Sequence, residues 1–186
     1  MIPLRRDGLP PELQQRLRRL AAIVRFLIVT GALLLLGTYV WIWLVPGHAQ
    51  SQVKEAAAVD IDHMPPYMQA LGAAWTLLPI GIWLYALQQL WQLFGEYALG
   101  KVFSRRALES LRGFARCALA TAFAEPIYGG VLSVIVTSDR KPGTRELNLA
   151  FTSNDYTMLL IGAALLAIAT VMAEAARVAE DNAGFV

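Results

Sequence analysis

The sequence predicts an all-α membrane protein: a single domain with four transmembrane helices, both termini in the cytoplasm, and a small outer β-hairpin between the third and fourth helices. Hydrophobic residues fill 56% of its 186 positions and charged residues only 16%, whereas soluble domains average about 45–50% and about 25%. Lys and Arg concentrate before the first uncharged stretch and between the second and third, as in cytoplasmic loops. One Cys and the lack of low-complexity tracts exclude a disulfide scaffold and a disordered chain.

The first transmembrane helix is predicted over 22–45, where Phe26–Val45 is a run of twenty uncharged residues. At 1.5 Å per residue this run spans about 30 Å, the thickness of a hydrocarbon core. Residues 1–21 are predicted to form a cytoplasmic or interfacial helix that continues into it, opened by Pro in its first turn. The run is too long for the apolar region of a cleaved signal peptide, about 7–15 residues, so we expect a retained anchor.

Three further helices are predicted from the same kind of evidence. The second covers 70–94 without a charge, although Pro79 and Gly81 interrupt it, and the third covers 117–137. The fourth covers 156–176, and its small residues favour close helix packing. The connections are predicted as an outer loop at 46–69, a cytoplasmic turn at 95–116, an outer hairpin at 138–155 and a cytoplasmic tail at 177–186.

The cytoplasmic turn and the outer hairpin carry local signals. Gly100 fits the end of one helix and Ser104 the N-cap of the next, so helices two and three are expected to extend past the membrane and meet in a tight turn. In the hairpin, apolar residues alternate with polar ones over 147–152, which is the period of a strand. Residues 131–137 are rich in β-branched side chains, and 139–143 have turn chemistry.

Short motifs in the second half of the chain resemble a bacterial membrane family. They are Leu93-Phe94, Gly100-Lys101-Val102-Phe103-Ser104, Leu108 and Leu111-Arg112, with the tail Ala175-Ala176-Arg177-Val178-Ala179-Glu180-Asp181-Asn182. The family is catalogued as domain of unknown function 2975, and the similarity covers most of residues 70–186. The resemblance implies four membrane helices without an assigned chemistry. Some relatives are encoded beside small helix-turn-helix regulators, which suggests a membrane-located regulatory partner. The tail departs from the family pattern at 183–186, where relatives keep another acidic or polar residue.

Glu125 is the most specific candidate for chemistry, because it lies eight residues into the third predicted span and is followed by Pro126. A carboxylate inside a membrane is costly unless it is paired, protonated or facing water. One hypothesis gives it a role in proton relay, cation coordination or ligand contact. The alternative is a protonated Glu that bonds within the bundle, with Tyr85, Tyr128, Thr38 or Thr121 as its partner.

A second candidate is a metal site in the outer loop, formed by His48, His63, Met64 and Met68. Both histidines of the chain lie there beside two methionines, and imidazole with thioether suits copper. Their spacing matches no closed site, and 64–68 also reads as the entry to the second helix. We therefore expect no cofactor.

Motifs for catalysis are missing from the sequence: it has no nucleotide-binding glycine pattern, no metalloprotease motif and no Cys pair. Cys117 is expected to be a buried thiol rather than a nucleophile. Gln88 and Gln92 share a face of the second helix and are expected to make an interhelical contact or to line a vestibule. The sequence therefore predicts a protein that is not an enzyme.

The predicted function is that of a non-enzymatic bacterial inner-membrane protein acting through protein–protein contacts, as a regulator or an accessory subunit of a larger complex. The alternative is a small oligomeric channel or transporter in which Glu125 lines a proton or cation path. Direct nucleic-acid binding is not expected, because the basic residues flank membrane segments. The candidate partner-contact residues are those of the cytoplasmic turn: Lys101, Phe103, Arg105, Arg106 and Arg112.

Overall fold

The computed structural model describes residues 11–45, 47–57, 64–138 and 147–183, and these residues form an all-helical fold. Its four long helices are long and apolar enough to cross a membrane, which confirms the main prediction of fold class. The α1 helix also runs without a break from the predicted interfacial segment into the first span. The helices are α1 (Pro11–Leu44), α2 (His48–Ala57), α3 (Pro66–Ala98), α4 (Arg105–Val136) and α5 (Ser153–Ala183).

The long helices run antiparallel, and the main contacts follow the order α1, α3, α4, α5. We call the end at residues 99–104 the turn end and the opposite end the α2 end. Many large apolar side chains of α1 lie on the outside, including Phe26, Leu33 and Leu34. In water such an exposed apolar surface would favour aggregation, whereas in a membrane it faces lipid.

At the α2 end, the short helix α2 covers the ends of α1 and α4. Ala49, Val53 and Ala57 recur every fourth residue, so they share one face, and that face is buried. They form an apolar cluster with Trp43, Leu132 and Val136. The sequence predicts only a loop here, because α2 is one short and mostly polar helix whose burial depends on α4.

The predicted outer β-hairpin is wrong, because no described residue lies in a strand. Residues 131–136 are the last turns of α4, and the predicted turn at 139–143 lies outside the described residues. The β-branched Val136 is accommodated because it packs with Leu132 in the cluster with α2. Thr137 donates its hydroxyl back to the Ser133 carbonyl, which satisfies it within the helical turn. Tertiary packing therefore overrides the strand preference of this segment.

The downstream half of the predicted hairpin, residues 147–152, is irregular chain lying along α4. Ser133 accepts a hydrogen bond from the backbone N–H of Asn148 at 3.0 Å, and Leu149 lies against Gly130. The apolar–polar alternation does not mark a buried face, because Leu147, Leu149 and Phe151 are 64%, 60% and 57% exposed. Leu149 contacts α4 at a glycine, and Asn148 is held by a side chain. The alternation does not reflect strand pairing.

At the turn end, α3, α4 and α5 share a second core of Leu93, Ala107, Leu111 and Ala169. The small residues of α5 permit this close packing, as predicted: a Cβ on Gly162 would lie 2.8 Å from Leu119 Cγ. Pro79 and Pro126 are both accommodated inside continuous helices.

Candidate functional site

The predicted intramembrane carboxylate, Glu125, lies at the junction of α4 with the start of α5. Asn154 donates a hydrogen bond from Nδ2 to Glu125 Oε2 at 3.1 Å. Because α5 begins at Ser153, the carboxylate is level with the first turn of the fourth candidate span.

Asp155, next to Asn154, is 1% exposed and organises the N-terminus of α5. Its Oδ2 accepts hydrogen bonds from the Thr152 backbone N–H at 2.6 Å and from the Thr152 hydroxyl at 2.8 Å. Thr152 Oγ1 in turn accepts from the Asp155 N–H at 3.3 Å. This reciprocal pairing is a capping box, and it fixes where α5 begins.

The second oxygen of Asp155, Oδ1, is buried and has no hydrogen-bond partner in the described part of the chain. The Glu125 carboxyl lies close enough to interact with it. Two neighbouring carboxylates repel each other, whereas one proton held between them would supply the donor that Asp155 Oδ1 lacks. The pair can therefore hold a proton.

Within the described residues, no group of three His, Cys, Asp or Glu side chains forms a metal cage.

The two tyrosines predicted beside Glu125 lie elsewhere. The Tyr128 hydroxyl is 3.0 Å from Thr76 Oγ1, and its carbonyl accepts from Trp75 Nε1, so Tyr128 joins α4 to α3. Tyr85 is exposed in a groove nearer the turn end. Thr121 donates back to the Cys117 carbonyl. Asn154 and Asp155 are the partners that the sequence analysis missed, and the Thr152-x-x-Asp155 spacing is the signal that could have found them.

The candidate metal ligands of the outer loop are divided between surface and core. His48 is exposed at the start of α2, with its ring edge-on to Trp41 at 5.5 Å. Met68 is buried, and Met64 packs against the apolar cluster of α2 and α4. His63 lies outside the described residues. Both methionines therefore have a packing role that does not require a metal.

The turn between α3 and α4 is closed by local hydrogen bonds. The N–H groups of Leu99 and Lys101 donate to the Glu96 carbonyl at 3.1 and 3.0 Å. Gly100 has φ +74°, a left-handed conformation that favours glycine, and so ends α3 as predicted. The predicted N-cap is also confirmed: Ser104 Oγ accepts from the Ala107 N–H at 3.1 Å and donates to the Glu96 carboxylate at 3.0 Å.

This closed turn presents apolar and basic side chains together at the surface. Phe103 is 58% exposed and Leu99 is 59% exposed. Lys101, Arg105 and Arg106 are exposed around them, and Arg112 is half-buried nearly two turns further along α4. A cavity of about 300 Å³ opens beside Phe103, between the turn-end parts of α4 and α5. Its walls include Phe103, Arg105, Leu108, Arg112, Ala173 and Arg177.

The positive charge of this surface is only partly neutralised by described residues. Arg105 pairs with Glu109 at 2.9 Å, and Arg177 pairs with Glu174 at 2.6 Å. Glu96 is held inside the turn by Ser104. The five predicted contact residues are thus brought together around one end of the fold, with Phe103 as their largest exposed apolar group.

Comparison with known families gives one match. The model of a family described as a protein of unknown function (DUF2975) matches residues 48–184, which cover α2 to α5 and all the sites described above. No curated protein and no solved structure matches this chain. Because the match covers well over half of the chain, the protein belongs to the DUF2975 family of proteins of unknown function.

Proposed function

We propose that this protein is a non-enzymatic membrane protein that acts by binding another protein, as a regulator or an accessory subunit of a membrane complex. Its contact surface is the turn end, which we place in the cytoplasm of a bacterial cell. The observation that carries the proposal is the exposure of Phe103 on a turn whose backbone is fixed by hydrogen bonds.

The exposed aromatic ring is informative because of where it lies. Large apolar residues that face lipid in this protein lie on the sides of the helices. Phe103 instead lies on the connection between two helices, beside a cavity and among basic side chains. Aromatic residues in such surroundings are typical anchors of protein interfaces. The fixed turn also reduces the entropy lost on binding, because its backbone is already ordered.

The expected partner has an apolar pocket or side chain for Phe103 and acidic residues around it. Lys101 and Arg106 have no carboxylate partner among the described residues, so they are available to a negatively charged surface. Such charges mainly set the rate and specificity of association, whereas the buried aromatic residue carries more of the affinity. A partner of this kind fits a cytoplasmic regulator or a neighbouring subunit.

The proposal is tested by gentle extraction of the tagged full-length protein from its native membrane, followed by quantitative mass spectrometry. A stoichiometric companion is expected with the wild type, and Phe103→Ala should lower its recovery at least about fivefold, as for an interface anchor worth over about 1 kcal/mol. Leu147→Ala, an exposed apolar residue at the α2 end, is the matched control. Recovery of the protein without any companion, or an equal effect of both variants, would contradict the proposal.

The orientation is tested separately with an impermeant thiol reagent on intact cells, in a Cys117→Ala background. We expect Lys101→Cys to be protected and Gln52→Cys on α2 to be labelled, because the turn end carries more basic residues. Labelling of residue 101 from outside would reverse the topology and remove the cytoplasmic partner.

The conducting alternative depends on Glu125 and Asp155, whose neighbouring carboxyls can hold a proton where α5 begins. It needs further polar groups across the layer, and among the described residues the spans beyond this pair are largely apolar. Proton or cation flux into liposomes that disappears in Glu125→Gln would favour it over the interaction proposal. We rank it second because the geometry supplies one proton-holding pair and no continuous path.

A further inference from the structure

A groove runs along the surface between α3 and α4, from mid-span towards the turn end. We call it the basic groove. Its mid-span part, a cavity of about 540 Å³, is lined by Leu78, Gly81, Ile82, Cys117 and Ala120. Its turn-end part, about 320 Å³, is lined by Gln89, Gln92, Arg106, Glu109 and Ser110. Tyr85, Gly113 and Arg116 line both parts, so the two cavities are continuous.

Two glycines border the groove and shape it in different ways. A Cβ on Gly113 would lie 2.8 Å from the side-chain amide of Gln89, so the glycine allows α3 and α4 to approach there. Gly81 has nothing within 4 Å of where its Cβ would be, which leaves the mid-span floor empty. Gln92 contacts Ser110, at the limit of hydrogen bonding, 3.5 Å. Of the α3 glutamines, Gln92 therefore makes an interhelical contact, and Gln89 and Gln92 line this groove.

The groove carries two arginines, Arg106 and Arg116, which favour an anionic ligand. Arg116 lies eleven residues after Arg105 (116 − 105) and is exposed, which places its Cα about 16 Å along the helix. Its Nε donates to the Arg112 carbonyl at 3.3 Å. Neither Arg116 nor Arg106 pairs with a carboxylate of the described chain, because Glu109 is already paired with Arg105.

The polarity of the groove changes along its length in the same order as the parts of a phospholipid. Its mid-span walls are mostly apolar, as an acyl chain requires. Its turn-end walls carry two Arg and two Gln side chains, which suit a phosphate, and one carboxylate, Glu109, which is paired with Arg105. Basic pockets between membrane helices are known to hold anionic head groups. We propose that the basic groove binds an anionic phospholipid, with its phosphate on Arg106 and Arg116 and an acyl chain along Leu78 and Ile82.

The test is native mass spectrometry of the full-length protein purified in detergent and titrated with phosphatidylglycerol or phosphatidylcholine. The wild type is expected to retain phosphatidylglycerol at least about tenfold more tightly, the strength of a charge-assisted hydrogen bond. The double variant Arg106→Gln/Arg116→Gln should lose this preference. Arg112→Gln removes the same charge from the same helix outside the groove and should keep it, as should the conservative Arg116→Lys.

Filling the apolar part gives an independent test. Gly81→Leu places a side chain on the empty floor, so it should weaken binding of long-chain phosphatidylglycerol and leave binding of a dihexanoyl analogue unchanged. Equal retention of the two lipids by the wild type would overturn the proposal, and so would an equal loss in Arg112→Gln. A second copy of the chain bound in place of lipid, and lost in the double variant, would assign the groove to self-association instead.

Discussion

Asn154 donates a hydrogen bond to the Glu125 carboxylate at 3.1 Å and joins the first turn of α5 to α4, eleven residues (136 − 125) before that helix ends. The carboxylate that looks deeply buried in the sequence therefore lies where α5 begins. Its neighbours are the amide of Asn154 and the buried carboxyl of Asp155. The acidic side chain is held by polar groups of the helix start rather than by the tyrosines of the spans.

Glu125→Gln should leave the stability of the protein almost unchanged, whereas Glu125→Ala should lower it by about 1–3 kcal/mol. A Gln side chain can accept from Asn154 and donate to Asp155 Oδ1, as a protonated Glu does. An Ala side chain leaves the Asn154 amide without its acceptor and Asp155 Oδ1 without a donor. Thermal unfolding in detergent measures the difference. A Gln variant as unstable as the Ala variant would show that an ionised carboxylate is required here.

Asp155→Ala should lower stability by about 1–2 kcal/mol, because it removes the capping box that begins α5. The matched control is Glu174→Ala, which removes an acidic residue of the same helix from an exposed ion pair. The control should cost less than about 0.5 kcal/mol. Both are compared by thermal unfolding in the same detergent, and equal losses would argue against the cap.

Gly72→Ala should destabilise the packing of α1 on α3. The added Cβ would lie 2.6 Å from Cη2 of the buried Trp43 ring, and forcing such an overlap costs about 1–3 kcal/mol. Gly81→Ala, in the same helix, meets nothing within 4 Å and should be neutral or stabilising by up to about 1 kcal/mol. Equal unfolding temperatures for the two variants would mean that Trp43 packs elsewhere.

Ser133→Ala should loosen residues 147–151 without unfolding α4. The Ser133 hydroxyl oxygen accepts from the Asn148 N–H, and this bond ties the segment to the helix. Hydrogen exchange of the Asn148 amide should become faster in the variant. Ser138→Ala, whose hydroxyl donates to the Ile135 carbonyl, should leave that amide protected. Unchanged protection in Ser133→Ala would contradict the assignment of this hydrogen bond to the Ser133 hydroxyl.

The helices could be predicted because their signals are local and long. Phe26–Val45 has the length of a span by itself, and Gly100 with Ser104 carries the end of one helix and the cap of the next. The α2 helix and the 147–152 segment could not, because their conformations depend on α4. Val53 is buried only because Leu132 faces it, and Leu149 lies along a helix only because Gly130 leaves room.

The candidate sites also differ in whether they could be predicted from the sequence. The exposed residues of the turn are neighbours in sequence, so they could be identified as one surface without the fold. The basic groove and the Glu125 junction each join residues from two helices. Arg116 and Gln89, for example, are 27 positions apart (116 − 89) and meet only because α3 and α4 pack antiparallel.

The most direct measurement is photo-crosslinking in living cells with a photoreactive amino acid at position 103, compared with the same residue at position 147 at the α2 end. The turn-end surface should give one discrete protein adduct at position 103. That adduct should weaken when Lys101→Glu and Arg106→Glu reverse the charge around it. Adducts to lipid alone at position 103, or the same protein adduct from position 147, would contradict a protein contact at the turn end.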